Sequence, residues 1–215
     1  MKSNVCRKTF AITEGNKKMN STERKTTYFE TPGPQNTESV LRLAKEYAQT
    51  EGIKDIVVAS TTGQTGARAS GIFKGFNVVV VTHHSNFAGP GTTEMREENR
   101  KKILENRAKV LTSTHALSGV ERAVRKKFTT ILPIELIAHS LRLFGEGTKV
   151  CVEISVMAAD AGLIPVDRNV VAIAGTGSGA DTALVIKPAS ASDFFNLEVR
   201  EVIAKPRSRV KKATG

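Results

Sequence analysis

A hydroxyl-rich and glycine-rich segment follows a short apolar run near position 60. Residues 56–59 are Ile-Val-Val-Ala, and residues 60–66 are Ser-Thr-Thr-Gly-Gln-Thr-Gly. This pattern predicts a buried parallel strand, a turn and then a helix. The start of such a helix offers unpaired N–H groups and the positive end of its dipole, which suit a phosphate. Helix capping by the same hydroxyls is the alternative. The predicted phosphate contacts are Ser60, Thr61, Thr62, Gly63 and Thr65.

Three histidines stand in two further loops of this kind. His83 and His84 follow the apolar run 77–82, and His115 follows the run 109–113. Imidazole titrates near neutral pH, so His83 and His115 are the candidate acid/base residues, and all three are candidate ligand contacts. The alternative is that these histidines are structural, with their ring nitrogens hydrogen-bonded within the protein. Adjacent histidines point to opposite sides of an extended chain, and no cysteine or paired carboxylate lies at a ligand spacing nearby. We therefore predict no metal site.

A glycine-rich loop occupies residues 175–182, Gly-Thr-Gly-Ser-Gly-Ala-Asp-Thr. The dinucleotide-binding fingerprint fails at Ala180, and the loop joins two predicted strands rather than a strand and a helix. An ordinary flexible hairpin connection is one interpretation, and a lid whose backbone approaches a ligand is the other. The candidate ligand contacts in this loop are Gly175, Thr176, Gly177, Ser178, Gly179, Asp181 and Thr182.

These loops need a scaffold, and the hydrophobic pattern predicts one in which strands and helices alternate. Length, alanine content and Gly162 favour a helix for residues 150–161, although the apolar residues there also alternate. The alternation predicts an α/β fold with three αβα layers and a mostly parallel sheet. Strands are predicted at 26–29, 53–59, 77–82, 109–113, 170–174, 183–186 and 197–204. Helices are predicted at 37–50, 65–74, 92–107, 120–128, 133–144 and 150–161, and Gly52 is predicted to end the first of them.

Four polar loops, at 60–66, 82–91, 113–119 and 175–182, each follow the carboxyl end of a predicted strand. In open α/β sheets these ends share one edge, where ligands bind. We therefore predict one ligand site built from all four loops. On the helix predicted at 150–161, Glu153 and Asp160 are seven residues apart and share a face, and they are either buried acids or solvated ones.

The net charge of +11 is concentrated at the two termini. Residues 1–25 hold seven Lys or Arg and two Glu, and residues 205–215 hold five Lys or Arg and no acid; the remaining residues hold 20 basic and 19 acidic side chains. We predict a basic, largely disordered tail at 1–25, a single domain at 26–206 and a basic tail at 207–215. Solvated tails are one interpretation, and weak binding of nucleic acid through them is the alternative.

The number of cysteines and the length of the apolar runs indicate the compartment and the relation to membranes. Two cysteines, Cys6 and Cys151, lie far apart without metal spacing, which favours a reducing compartment. No apolar run approaches the roughly 20 residues that a membrane span needs. We expect a cytoplasmic protein with no membrane partner; an organellar transit peptide in the basic, acid-poor amino terminus is the alternative.

Several segments together resemble a known family. Residues 60–65 resemble the effector-phosphate loop of the carboxyl-terminal domain of pyruvate kinase, and residues 175–182 resemble its glycine-rich effector loop. Residues 26–206 are similar to small stand-alone proteins with that fold. Signatures of these proteins are matched by Thr-His-His at 82–84, Thr-His-Ala-Leu-Ser-Gly-Val-Glu-Arg at 114–122 and Gly-Ala-Asp-Thr at 179–182.

The resemblance implies a three-layer α/β fold, a phosphorylated ligand at the strand ends and self-association into a homo-oligomer. Flavin mononucleotide (FMN) is the ligand associated with the family. The catalytic barrel of pyruvate kinase has no counterpart here, so kinase activity is not expected. Gln64 stands where the kinases tend to have a basic residue, which argues against a sugar bisphosphate.

Three hypotheses follow. The first is a protein that binds a phosphorylated small molecule, with FMN favoured. The second is an enzyme that acts on a phosphorylated substrate with a histidine acid/base. The third is an accessory protein that binds RNA through basic tails.

Overall fold

Residues 21–208 are described by a computed structural model. The tail residues 1–20 and 209–215, for which solvation or nucleic-acid binding is predicted, lie outside this part. The described strands are β1 (Thr27–Phe29), β2 (Asp55–Ala59), β3 (Asn77–Thr82), β4 (Lys109–Thr112), β5 (Val170–Ala174), β6 (Thr182–Lys187) and β7 (Glu198–Pro206). The described helices are α1 (Thr37–Glu51), α2 (Gln64–Ile72), α3 (Glu97–Glu105), α4 (Glu121–Phe128), α5 (Pro133–Arg142) and α6 (Glu146–Asp160).

The seven described strands form one sheet in the order β1-β7-β6-β5-β2-β3-β4. β6 runs antiparallel to both of its neighbours, and every other pairing is parallel. The carboxyl ends of β2, β3, β4 and β5 therefore lie at one edge of the sheet. The prediction of a mostly parallel α/β sheet is confirmed.

Helices cover both faces of the sheet, which gives the predicted three layers. Alternating side chains of β2 show the division: Ile56 and Val58 pack with α1, α2 and α3, whereas Val57 packs with α5 and α6. The side chains of Ile56, Val57 and Val58 are all fully buried. A strand buried on both faces needs a continuous apolar run, which is why this segment shows no polar alternation.

Two helices begin several residues away from their predicted starts. α6 begins at Glu146, four residues before the predicted start, because Gly145 turns the chain at φ 125° and the next residues pack beneath the sheet edge. α3 begins only at Glu97, because residues 92–96 form a separate segment in which the Arg96 N–H donates to the Thr62 carbonyl. Gly52 ends α1 in the left-handed conformation, as the sequence predicts.

The described part of the amino-terminal tail contacts the domain. Arg24 pairs with Glu51 at 3.1 Å and with Glu201 at 3.4 Å, although residues 1–25 were predicted to be largely disordered. The contacts of the domain thus extend to Arg24.

Candidate functional site

The four predicted loops meet at the carboxyl edge of the sheet and line one pocket of about 660 Å³. Loops 60–66, 82–91, 113–119 and 175–182 all contribute, together with residues of α4, α5 and α6. The predicted contacts that line the pocket are Ser60, Thr61, Thr62, Thr65, His83, His115, Gly175, Gly177, Ser178 and Gly179. The predicted contacts that do not line it are Gly63, His84, Thr176, Asp181 and Thr182.

The turn between β2 and α2 carries a row of unpaired amides. Within residues 21–208, the N–H groups of residues 61–65 have no hydrogen-bond acceptor. The Ser60 hydroxyl accepts from the Gly66 N–H at 3.0 Å, so helix capping is the correct interpretation for this one side chain. The other hydroxyls make no such cap, and Gly63, the residue that precedes α2, has no side chain that could supply one. This segment has the properties of an anion site.

Gly63 shapes this turn without facing the pocket. Its φ is 85°, in the left-handed region, and an added Cβ would lie 2.7 Å from the Asn99 Cβ. The same region of α3 is tied to the turn by the Asn99 side-chain amide, which donates to the Thr62 carbonyl at 2.9 Å. Glycine is needed here for backbone conformation and close packing.

His83 connects two side chains in the pocket wall. Its Nδ1 lies 2.7 Å from Glu94 Oε2, and its Nε2 lies 3.3 Å from Thr61 Oγ1. Glu94 precedes α3 and was not among the predicted site residues. The carboxylate orients the ring and fixes which nitrogen faces the threonine hydroxyl.

The histidines form one aromatic cluster with Phe87. The ring centres of His83 and Phe87 are 4.0 Å apart, and His115 lies 5.2 Å from each of them. His84 also approaches His115, at 5.4 Å, but unlike His83 it does not line the pocket. Strand β3 ends at Thr82, so both histidines lie in the loop that follows it.

Burial sets the charge of one member of this cluster. It lowers the pKa of His115 to about 4, although the nearby carboxylate of Glu153 opposes the shift. His115 is therefore neutral at neutral pH, and it can act there as a hydrogen-bonding group or a weak base.

A buried ion pair lies in the helical wall of the pocket. Lys149 Nζ is 2.5 Å from Glu153 Oε2 on α6, and the two side chains are 7% and 6% exposed. Glu153 Oε1 accepts from the Leu117 N–H at 3.0 Å, which fixes the loop that carries His115. Of the two open assignments, Glu153 is buried and Asp160 is exposed. Lys149 was missed, although a Lys and a Glu four residues apart within an apolar helix would have indicated it.

Charged residues of α4 and α5 form the rim of the pocket. Arg122 stacks over the Phe87 ring at 4.5 Å. Arg125 pairs with Glu135 at 3.1 Å rather than with Glu121 one helical turn away, because Glu121 accepts from the Ile134 N–H. This rim was not predicted, because nothing in the local sequence indicates that the exposed faces of two helices meet at a pocket.

Asp181 holds the glycine-rich loop rather than facing a ligand. It is fully buried, and its Oδ2 accepts from the N–H groups of Gly33 and Thr176 at 3.0 and 3.1 Å. Its Oδ1 accepts from the Thr182 hydroxyl at 2.8 Å. The loop thus joins the antiparallel strands β5 and β6 as a hairpin, which was one of the two interpretations of its sequence, and it is fastened by Asp181 while its glycines line the pocket.

Residues 21–208 were also searched for metal sites and for membrane-spanning helices. No group of three or more His, Cys, Asp or Glu in that range is placed to hold a metal ion. None of the helices in the same range combines the length and hydropathy that crossing a bilayer requires.

Comparison with known families agrees with this architecture. The family model described as pyruvate kinase, alpha/beta domain, matches residues 38–186. The match runs from the start of α1 to the end of β6, and it includes all four loops of the pocket. Since it covers more than half of the 215 residues, the chain belongs to the family of the pyruvate kinase alpha/beta domain.

Proposed function

We propose that the protein binds a phosphorylated small molecule, with its phosphate at residues 60–65. The observation that carries this proposal is the row of unpaired N–H groups at residues 61–65, at the start of α2 and beside the pocket. Unpaired amides and a helix dipole stabilise an anion. The hydroxyls of Thr61, Thr62 and Thr65 supply further donors in the same wall.

FMN is the ligand that we favour. The pocket volume lies within the roughly 300–1,000 Å³ that is typical of small-molecule sites. A flat heterocycle needs aromatic or apolar surface and a few polar partners, and the cluster of His83, Phe87 and His115 stands beside Leu117 and Met157 in the pocket. These residues fit such a ring. The protein residues would bind and orient the flavin, and its redox chemistry would be that of the cofactor.

The first experiment is an absorbance spectrum of the freshly purified protein, since bound flavin is visible directly. Calorimetry with FMN and with riboflavin, which lacks the phosphate, then tests the phosphate site. We expect FMN to bind at least ten times more tightly than riboflavin. Equal affinities would contradict the assignment of residues 60–65.

The substitution Thr62→Asp tests the same site from the protein side. It places a carboxylate in the anion site, where two like charges about 4 Å apart repel by about 4 kcal/mol at an effective dielectric constant near 20. We expect FMN binding to fall by about a thousandfold with an unchanged circular dichroism spectrum. Thr130→Asp, at an exposed position outside the pocket, is the matched control.

We also propose that the protein self-associates through the α4–α5 region. Six large apolar side chains there are more than half exposed, which is typical of an interaction surface. Sedimentation equilibrium at micromolar concentration should give a dimer or a larger homo-oligomer, and a monomer would refute the proposal. The exposed side chains are Val120, Phe128, Ile131, Leu136, Leu143 and Phe144.

A further inference from the structure

Three side chains in the pocket wall are joined as hydroxyl, imidazole and carboxylate. Thr61 Oγ1 lies 3.3 Å from His83 Nε2, and His83 Nδ1 lies 2.7 Å from Glu94 Oε2. All three residues line the pocket. We propose that Thr61, His83 and Glu94 form a catalytic triad that hydrolyses carboxylic esters, with Thr61 as the nucleophile.

The contacts assign a role to each atom. The carboxylate of Glu94 accepts the Nδ1 proton, so the lone pair of His83 Nε2 faces the threonine hydroxyl. The Phe87 ring lies 4.0 Å from the His83 ring and restricts its orientation. His83 is thus placed as a general base, and Glu94 is a positioning residue that also stabilises the imidazolium.

The backbone around Thr61 suits a nucleophile. Thr61 stands in the sharp turn between β2 and α2, and such strand–turn–helix geometry presents a nucleophile at a sheet edge. The N–H groups of Thr62 and Gly63 have no acceptor among the described residues. The amide after the nucleophile is the usual donor to the oxyanion of a tetrahedral intermediate. The same feature that suits phosphate also suits this negative charge.

The reaction would proceed in two balanced halves. Thr61 Oγ bonds to the ester carbonyl carbon while its proton passes to His83 Nε2, and His83 returns that proton to the departing alcohol as the C–O bond breaks. Water then attacks the threonine ester, gives a proton to His83 and releases the carboxylic acid, and His83 reprotonates Thr61. One ester and one water yield one acid and one alcohol.

The test measures hydrolysis of p-nitrophenyl acetate by the full chain. We expect an initial burst of p-nitrophenol, with an acetyl group on the peptide that contains Thr61 when the quenched protein is analysed by mass spectrometry. Inorganic phosphate should inhibit competitively, because it occupies the same amides. If the protein gives no burst and no hydrolysis above buffer, or if acetyl is absent from that peptide, the proposal is refuted.

Variants separate catalysis from surface reactivity. Thr61→Ala should abolish the burst and Thr61→Ser should retain it. His83→Gln should lower kcat by about 10²–10⁴-fold, which is the range of general acid–base catalysis, whereas His139→Gln on the exposed face of α5 should leave it unchanged. Parent-like kcat in His83→Gln would overturn the proposal.

Glu94→Gln distinguishes a positioning role from a structural one. It should lower kcat by about tenfold or more while leaving KM unchanged, because the ring loses its charged partner but the pocket keeps its shape. Glu98→Gln, at an exposed position of α3, is the matched control. FMN calorimetry on the same variants reports phosphate binding separately, so the failure of this proposal and that of the phosphate site are distinguishable.

Discussion

The buried ion pair between Lys149 and Glu153 should reveal itself in a double-mutant cycle. The two charges are 2.5 Å apart, and less than a tenth of each side chain is exposed. Lys149→Met would leave a buried carboxylate whose remaining described partner is the Leu117 N–H. Removal of one member of a buried pair costs about 3–5 kcal/mol, because the other charge is left uncompensated. We expect a loss of that size in the free energy of unfolding.

Removal of both charges should cost far less. Burial lowers the pKa of Lys149 even though Glu153 opposes the shift, so the attraction to Glu153 does not offset the desolvation of the Lys149 ammonium. The double variant Lys149→Met/Glu153→Gln removes both charges and keeps an oxygen that can accept from the Leu117 N–H. We expect it to recover most of the loss and to lie within about 1–2 kcal/mol of the parent protein.

Urea unfolding at pH 7, followed by circular dichroism, measures all four corners of the cycle. Lys101→Met/Glu105→Gln is the matched control, since this pair on α3 has the same spacing but is 75% and 60% exposed. It should change stability by less than about 0.5 kcal/mol. The reasoning is refuted if Lys149→Met lowers the free energy of unfolding by less than about 1 kcal/mol. It is also refuted if the loss in the double variant equals the sum of the losses in the two single variants.

Three further predictions concern pH, packing and the tails. Burial lowers the pKa of His115 to about 4, so protonation of this side chain favours the unfolded chain. The free energy of unfolding should therefore fall as the pH drops from about 6.5 towards 4. In the His115→Gln variant, the urea midpoints at pH 7 and pH 5 should differ less than they do in the parent protein. Gly66→Ala puts a Cβ 2.5 Å from Val80 Cγ1 and should lower the free energy of unfolding, measured in urea, by about 1–3 kcal/mol. In Gly71→Ala on the same helix, the nearest atom to the added Cβ is 4.0 Å away, so this variant should be neutral or stabilising. Equal losses in the two variants would contradict this account. A chain trimmed to residues 21–208 should keep its FMN affinity in calorimetry and lose most polyanion binding, and steep salt-dependent RNA binding by the trimmed chain would instead reveal a basic groove in the domain.

The sequence by itself determined the layers of the fold and the loops of the pocket. A strand buried on both faces must be apolar throughout, so the runs in β2, β3 and β5 were visible without any knowledge of their neighbours. The carboxyl ends of parallel strands share an edge, so four loops far apart in the chain could be assigned to one site. Glycine at position 52 likewise marked the end of α1, because the left-handed conformation there disfavours other residues.

The partners of the site residues were decided only by the tertiary structure. Ala59 of β2 lies opposite Val81 of β3. Two residues beyond each of them, Thr61 and His83 are therefore close enough to make contact. β2 and β3 are joined by a helix rather than by a tight turn, so no turn geometry sets their register, which depends on how the whole sheet packs. Glu94 lies in an irregular segment that has neither a helical nor a strand periodicity. It reaches His83 only because α3 packs beside α2.

Tertiary context also separated residues that look alike in the sequence. Asp181 and Glu153 are both acids near the sheet edge, yet Asp181 fastens the glycine-rich loop, whereas Glu153 pairs with Lys149 beside the pocket. The difference follows from the reversal of β6, which turns the end of its loop back towards Gly33 and buries the carboxylate among backbone donors. A sequence shows that a residue can be charged or can donate a proton, but the neighbours that give it a function come from distant segments brought together by the fold.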